Sequence, residues 1–267
     1  MSNAMKIRVL GARNGLIWIR DGLRLFGGNP LSLLGSVAAG LLIVWLPSTV
    51  PRVGPAIAAV LAPIASLGLI AACRAADAGR IPGVAVYVDG LRDPQTRRQL
   101  LMLGVINALI VVPLIAIGQA TGMDRAISIV AGPNQPPQVE VHPGLLALRI
   151  ALSTPVLMAM WLAPPLVGWQ HLTAPKAMFY SFFACWRNRW PLLTFIGGVL
   201  GAGALTTVVM AAIVSLLAPA QVVAVLIAPL SLALLAVAQG GIFRMYTQIV
   251  EVASVDQEAE ASEVSKR

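Results

Sequence analysis

Charge is scarce in this chain. Only 11% of its 267 residues are Asp, Glu, Lys or Arg, against about 25% in an ordinary soluble domain. With 58% of residues hydrophobic, water cannot cover the surface, and lipid must be the solvent for much of it. Cysteine and histidine are rarer still: Cys73, Cys185, His142 and His171 are the full set. Both cysteines fall at a face read as reducing, which argues against a disulfide. No CxxC or Cys/His cluster exists to hold a metal. No acidic residue falls inside an apolar run, so the group that intramembrane proteases and proton-coupled pumps use is missing. No HExxH, GxSxG or P-loop pattern occurs. The chain therefore reads as non-catalytic, with no cofactor and no metal. No polar stretch is long enough to build a separate soluble core, and a 5–253 single membrane domain is expected.

What the chain has is long apolar runs. They fall at about 31–50, 53–73, 100–120, 144–169, 191–217 and 222–239. Each is near the roughly 20 residues a helix needs to cross a hydrocarbon core. Pro51-Arg52 and a turn around Pro219 make very short links, and short links force antiparallel hairpins. The longest link, 121–143, contains a Pro-rich extended stretch. Residues 1–4 read as a tag remnant before a start at Met5, and no cleaved signal follows them. The charged tail, 254–267, is expected to be disordered.

Between the runs lie basic-aromatic stretches. In residues 13–26, Leu16, Ile19, Leu23 and Phe26 share one helical face while Arg13, Arg20, Asp21 and Arg24 fall elsewhere. Residues 170–190 hold Lys176, Arg187 and Arg189 among Phe179, Tyr180, Phe182, Phe183, Trp186 and Trp190. Both suit helices lying in the membrane interface. The expected fold is an all-α membrane protein: six transmembrane helices as three hairpins, each preceded by an amphipathic interfacial helix on the cytoplasmic face. One side of this arrangement carries 16 Lys and Arg, the other only Arg52 and Arg125. The positive-inside rule then places both termini in the cytoplasm of a multi-pass inner-membrane protein. Asp21-Gly22-Leu23-Arg24 recurs as Asp89-Gly90-Leu91-Arg92, and Pro63, Pro155 and Pro229 sit near the middle of each hairpin's second helix. This suggests a weak threefold repeat; the alternative is that Pro and Gly are simply common in membrane helices.

Candidate site residues follow from the rare polar groups. Arg149 is the one formal charge within a run, about 7.5 Å from its outer end at 1.5 Å per residue. It either snorkels to water, pairs with Asp124 or Glu140, or contacts a substrate. Asn107 either bonds a neighbouring helix or lines a path. Arg20, Arg24, Lys176, Arg187 and Arg189 are candidate lipid-headgroup contacts. Pro63, Pro113, Pro155 and Pro229 are candidate kinks. Gly197 with Gly201, Gly35 with Ala39 and Ser36 with Gly40 are small-xxx-small pairs suited to close helix packing.

Trp161-Leu162-Ala163-Pro164-Pro165-Leu166-Val167, then Lys176-Ala177 with Ser181-Phe182 and Ala184-Cys185-Trp186-Arg187-Asn188, carry a resemblance. With Trp18 to Pro30, they resemble a family of uncharacterised bacterial multi-pass inner-membrane proteins over about residues 14–250. The resemblance implies the topology and no established activity. The leading functional expectation is a non-catalytic inner-membrane protein that organises lipids or partners. The alternative is a small-solute transporter or channel lined by Asn107 and the kinked helices. Expected partners are membrane lipids, with a protein partner or a second copy of the chain also considered. The net charge of +8 lies along membrane edges, so nucleic acid is not expected.

Overall fold

Proline both opens helices and lies within them here. The computed structural model describes residues 5–130, 138–217 and 220–252. Residues 1–4, the Pro-rich segment at 131–137, the turn at Pro219 and the tail at 254–267 lie outside them. In chain order the elements are β1 (Met5–Ile7), α1 (Asn14–Gly28), α2 (Pro30–Ser48), α3 (Gly54–Asp77), α4 (Val86–Arg92) and α5 (Pro94–Thr121). A short 3-10 turn (Met123–Arg125), β2 (Ile127–Val130), β3 (Gln138–Val141), α6 (Pro143–Trp161) and α7 (Ala163–Gln170) follow. The chain then runs through α8 (Ala174–Arg187), α9 (Arg189–Leu217), α10 (Ala220–Ile249) and β4 (Val250–Val252). Pro30, Pro94 and Pro143 each open a helix, where a missing N–H costs nothing. Asp93 caps α5 by accepting from the Thr96 N–H at 2.8 Å. Gly122, at φ 73°, ends it in the left-handed conformation.

Among the described residues, six helices are long and apolar enough to cross a membrane: α2, α3, α5, α6 with α7, and segments of α9 and α10. The sheet content is two antiparallel ribbons, β1 with β4 and β2 with β3. The all-α membrane class read from composition therefore holds. Boundaries move in a physical direction. The third spanning helix starts at Pro94 rather than residue 100, because the Asp93-Pro94 cap draws Arg97 and Arg98 into its first turns. The second runs on to Asp77, and the sixth to Ile249. The fourth run is not one helix: it breaks at Leu162, between α6 and α7.

Two compact units emerge. One comprises Met1–Ala38, Ile70–Gly83 and Ala184–Arg267; the other Ala39–Leu69 and Val84–Phe183. In the first, α1 packs on α9 and α10. Its packed face is Gly15, Trp18, Gly22 and Leu25. A Cβ on Gly15 would collide with the Pro191 carbonyl, and one on Gly22 with the Val237 carbonyl. Only bare backbone permits that approach. Trp18 is fully buried; its ring meets Phe195 edge-on at 6.2 Å and its Nε1 donates to Gln248 Oε1 at 2.8 Å. Asn188 fixes the segment before α1: its Oδ1 accepts from the Leu10 N–H and its Nδ2 donates to the Arg8 carbonyl, both at 2.9 Å. Asp77, at the end of α3, pairs with Arg244 of α10.

In the second unit, Tyr87 of α4 lies against Gly68 of α3, its hydroxyl close to Gly40 of α2. Gly104 of α5 sits directly on the Val60 carbonyl of α3, so the two helices cross with backbones touching. The glycines of the spanning helices divide. Among the described residues a Cβ at Gly35, Gly197 or Gly201 would meet nothing within 4 Å, whereas one at Gly104 meets backbone. We therefore expect Gly104→Val to lower unfolding free energy by about 1–3 kcal/mol, as overpacking does. Gly35→Ala is expected to be neutral or slightly stabilising, since it only removes helix-breaking freedom. Thermal unfolding of the two purified variants beside the parent measures the difference.

Candidate functional site

A proline inside a spanning helix frees the carbonyl four residues before it, and in lipid that carbonyl needs another donor. Pro63 frees the carbonyl of Ala59. Asn107, buried on α5, donates its Nδ2 to that oxygen at 2.8 Å. The close crossing at Gly104, one turn earlier on α5, brings the amide into reach. Asn107 thus bonds a neighbouring helix, as one of the two readings of it expects.

A second polar group closes a second gap. In an unbroken helix the Leu162 N–H would bond the Met158 carbonyl. Instead the Ser181 hydroxyl, fully buried on α8, stands between them. It donates to the Met158 carbonyl at 2.7 Å and accepts from the Leu162 N–H at 2.9 Å. Pro164 and Pro165, lacking N–H groups, open α7 just beyond. The break at Leu162 therefore has two causes, the proline pair and an inserted side chain. The candidate kinks at Pro63, Pro113, Pro155 and Pro229 all lie inside continuous helices.

Helix α8 is turned inside out relative to a soluble helix. Its buried face is small: Ala174, Ala177, Ser181 and Ala184. Phe179, Phe183 and Trp186, spaced four and three apart on the outward face, are exposed by 59%, 40% and 53%. Tyr180 and Phe182 are half-buried. Lys176 and Arg187 point outward, and Arg189 lies 6.0 and 5.7 Å from the rings of Trp186 and Trp190. Trp190 is itself exposed. Aromatic rings outward with cations beside them suit the headgroup region of a bilayer.

Helix α1 has three faces. One packs on α9 and α10, as described. Leu16 and Leu23 are exposed on a second. Arg20 and Arg24 are exposed on the third and share Asp21, at 3.2 and 4.0 Å. The apolar face read from sequence, through Leu16 and Leu23, is thus the outward one. The packed face was not legible, because Gly15 and Gly22 do not register as apolar.

Arg149 projects from α6 and is exposed. Neither Asp124 nor Glu140 pairs with it among the described residues. It lines an open cleft of about 280 Å³ between α5 and α6. Val111, Leu114, Ile115 and Gly118 form one stripe of α5 along this cleft, with Gln119 beyond them. Ser153 stands one turn after Arg149 on α6, and Asp124 also lines the cleft. A cluster of His, Cys, Asp and Glu able to hold a metal does not occur among the described residues. Sequence reasoning missed Ser181, Trp18 and Asn188. Each carries its meaning only through a partner far along the chain.

Chain-spanning apolar helices, outward aromatics and polar groups that serve the backbone define a multi-pass α-helical membrane protein. A probable inner membrane protein of Burkholderia thailandensis is 32% identical over 193 residues, covering 69% of this chain and 72% of that protein. The chain belongs to the same family. No family model matches it, and no solved structure does.

Two tests follow from this geometry. Asn107→Ala leaves the Ala59 carbonyl bare and is expected to cost about 0.5–2 kcal/mol. Pro63→Ala restores an N–H to that carbonyl, so the cost of Asn107→Ala should shrink markedly in the Pro63→Ala background. A double-mutant cycle on unfolding midpoints reads the coupling. Burial pushes the Cys185 thiol up to about 12, so it stays protonated through pH 9. Maleimide should leave it unmodified in mild detergent and label it once the chain is unfolded in SDS, as mass spectrometry of the Cys185 peptide would show.

Proposed function

We propose that this chain is a non-catalytic inner-membrane protein that gathers anionic lipid along α8, with both termini in the cytoplasm. The observation that carries the reading is the reversed amphipathicity of α8. Small residues hold it to the protein, while its large rings and its cations are left to the bilayer. A helix whose job was only to pack would bury its rings. The distribution of Lys and Arg, 16 against two, supports the orientation. Arg20 and Arg24 on α1 add cations beside outward leucines, the same combination in weaker form.

The transport reading needs a polar path to the midplane. Its leading residue, Asn107, has its amide committed to the Ala59 carbonyl, which favours the lipid-organising reading.

Each basic residue near an anionic surface adds about 1 kcal/mol, so three together are worth roughly 100-fold in lipid retention. Replacing Lys176, Arg187 and Arg189 together by Gln should lower phosphatidylglycerol and cardiolipin retention by about that factor. Native mass spectrometry from mild detergent reads it, with phosphatidylcholine as the insensitive control. Equal retention of anionic lipid by the parent and the triple variant would refute the proposal.

A further inference from the structure

We infer that the cleft between α5 and α6 is a binding site for a single amino-phospholipid of the phosphatidylethanolamine class. Its phosphodiester would sit on Arg149, its ammonium on Asp124 and one acyl chain along Val111, Leu114 and Ile115. This site is separate from α8: it lies at the N-terminal end of α6, whereas α7 and α8 follow that helix's other end. It does not rest on the anionic-lipid reading.

The first observation is charge without closure. Arg149 and Asp124 line one cleft of about 280 Å³, yet make no ion pair with each other. Among the described residues Asp124 accepts a local bond from the Arg125 N–H, at 3.1 Å. The guanidinium has no protein anion among the described residues. Opposite charges held apart across a cavity match a ligand that carries both signs. An anionic headgroup would satisfy Arg149 but leave Asp124 facing a negative charge. Phosphocholine would satisfy the phosphate side but offers no N–H to a carboxylate.

The second observation is the wall. Val111, Leu114, Ile115 and Gly118 are consecutive turns of one α5 face, running from the charged end toward the middle of the helix. This wall is aliphatic and partly open, with Ile115 44% exposed. A water-soluble zwitterion has no use for such a wall, whereas a lipid brings its own chain to fill it. The third observation is room. A Cβ at Gly118 would meet nothing within 4 Å among the described residues, so the stripe leaves a gap where a chain can lie.

The test is native mass spectrometry of the full-length protein in mild detergent. Phosphatidylethanolamine, phosphatidylglycerol and phosphatidylcholine with identical acyl chains are supplied in equal amounts. The expected result is one phosphatidylethanolamine retained in preference to both others. Arg149→Gln should lower its retention by about tenfold, the weight of one charge-assisted hydrogen bond. Asp124→Asn should remove the preference over phosphatidylglycerol while leaving lipid bound. Gly118→Leu, which projects into open space, should exclude the lipid without altering the thermal midpoint of lipid-free protein. The triple glutamine variant at Lys176, Arg187 and Arg189 should bind phosphatidylethanolamine as the parent does, which separates the two lipid readings. Unchanged retention in Arg149→Gln and Gly118→Leu would overturn the site. A parental preference for phosphatidylglycerol, or binding of chain-free phosphoethanolamine as tight as the whole lipid, would overturn the assignment of the ligand.

Discussion

A backbone carbonyl that loses its helical donor inside a bilayer must find another, because lipid supplies none. That single requirement organises much of the interior. Pro63 removes the donor of Ala59, and Asn107 replaces it from the neighbouring helix. The Pro164-Pro165 pair removes N–H groups after Leu162, and the Ser181 hydroxyl bridges the gap left one turn earlier. In both places an irregularity in one helix becomes a binding point for the next. An unpaired amide or carbonyl in hydrocarbon costs several kcal/mol. The pairing of helix with helix is therefore enforced by polar arithmetic as well as by fit. The buried polar residues of the spans read as mortar, and this is why they make poor candidates for a solute path.

The same logic gives the short helices a common role. Helix α4 rests on α3, with Tyr87 against Gly68 and Gly90 against Leu67. Helix α8 is tied to α6 through Ser181. Helix α1 rests on α10, with Gly22 against Val237 and Gly240. In each case a short helix leaning on a long one is followed in sequence by the next long helix. The two Asp-Gly-Leu-Arg copies also behave alike. In each the Asp and Arg pair on the surface, at 4.0 and 3.2 Å, while the Gly faces a neighbouring helix. The Asp-Gly-Leu-Arg recurrence thus has the same local geometry in the two units that carry it.

What the letters conveyed and what they concealed divide along one line. Features set by the solvent were legible: the number and rough extent of the apolar helices. Hydropathy is a property of a residue and its surroundings in bulk, so a window of sequence reports it. Features set by a particular neighbour were not legible. Gly104 and Gly35 look alike in sequence, yet one carries a backbone crossing and the other faces open space. Asn107 could be weighed between packing and function but not assigned, because its partner is 48 residues away. The break at Leu162 was half-visible. Pro164 and Pro165 are strong helix-start signals, but the apolar run continues through them, so hydropathy alone hides the break.

The quoted Trp161–Val167 and Lys176–Asn188 segments now have a structural meaning that bears on function. Ala163, Pro164, Leu166 and Val167 are buried around the break, and Ala177, Ser181, Ala184, Cys185 and Asn188 form the inward face of the following segment. These are the residues that seat α8. A ring such as Trp186, half-exposed in the protein, would be a liability in water and is well placed only at a lipid interface. The small inward face and the large outward face are thus two halves of one device. The first holds α8 to the protein, and the second leaves rings and cations on its outer side, the arrangement on which the proposed lipid contacts rest.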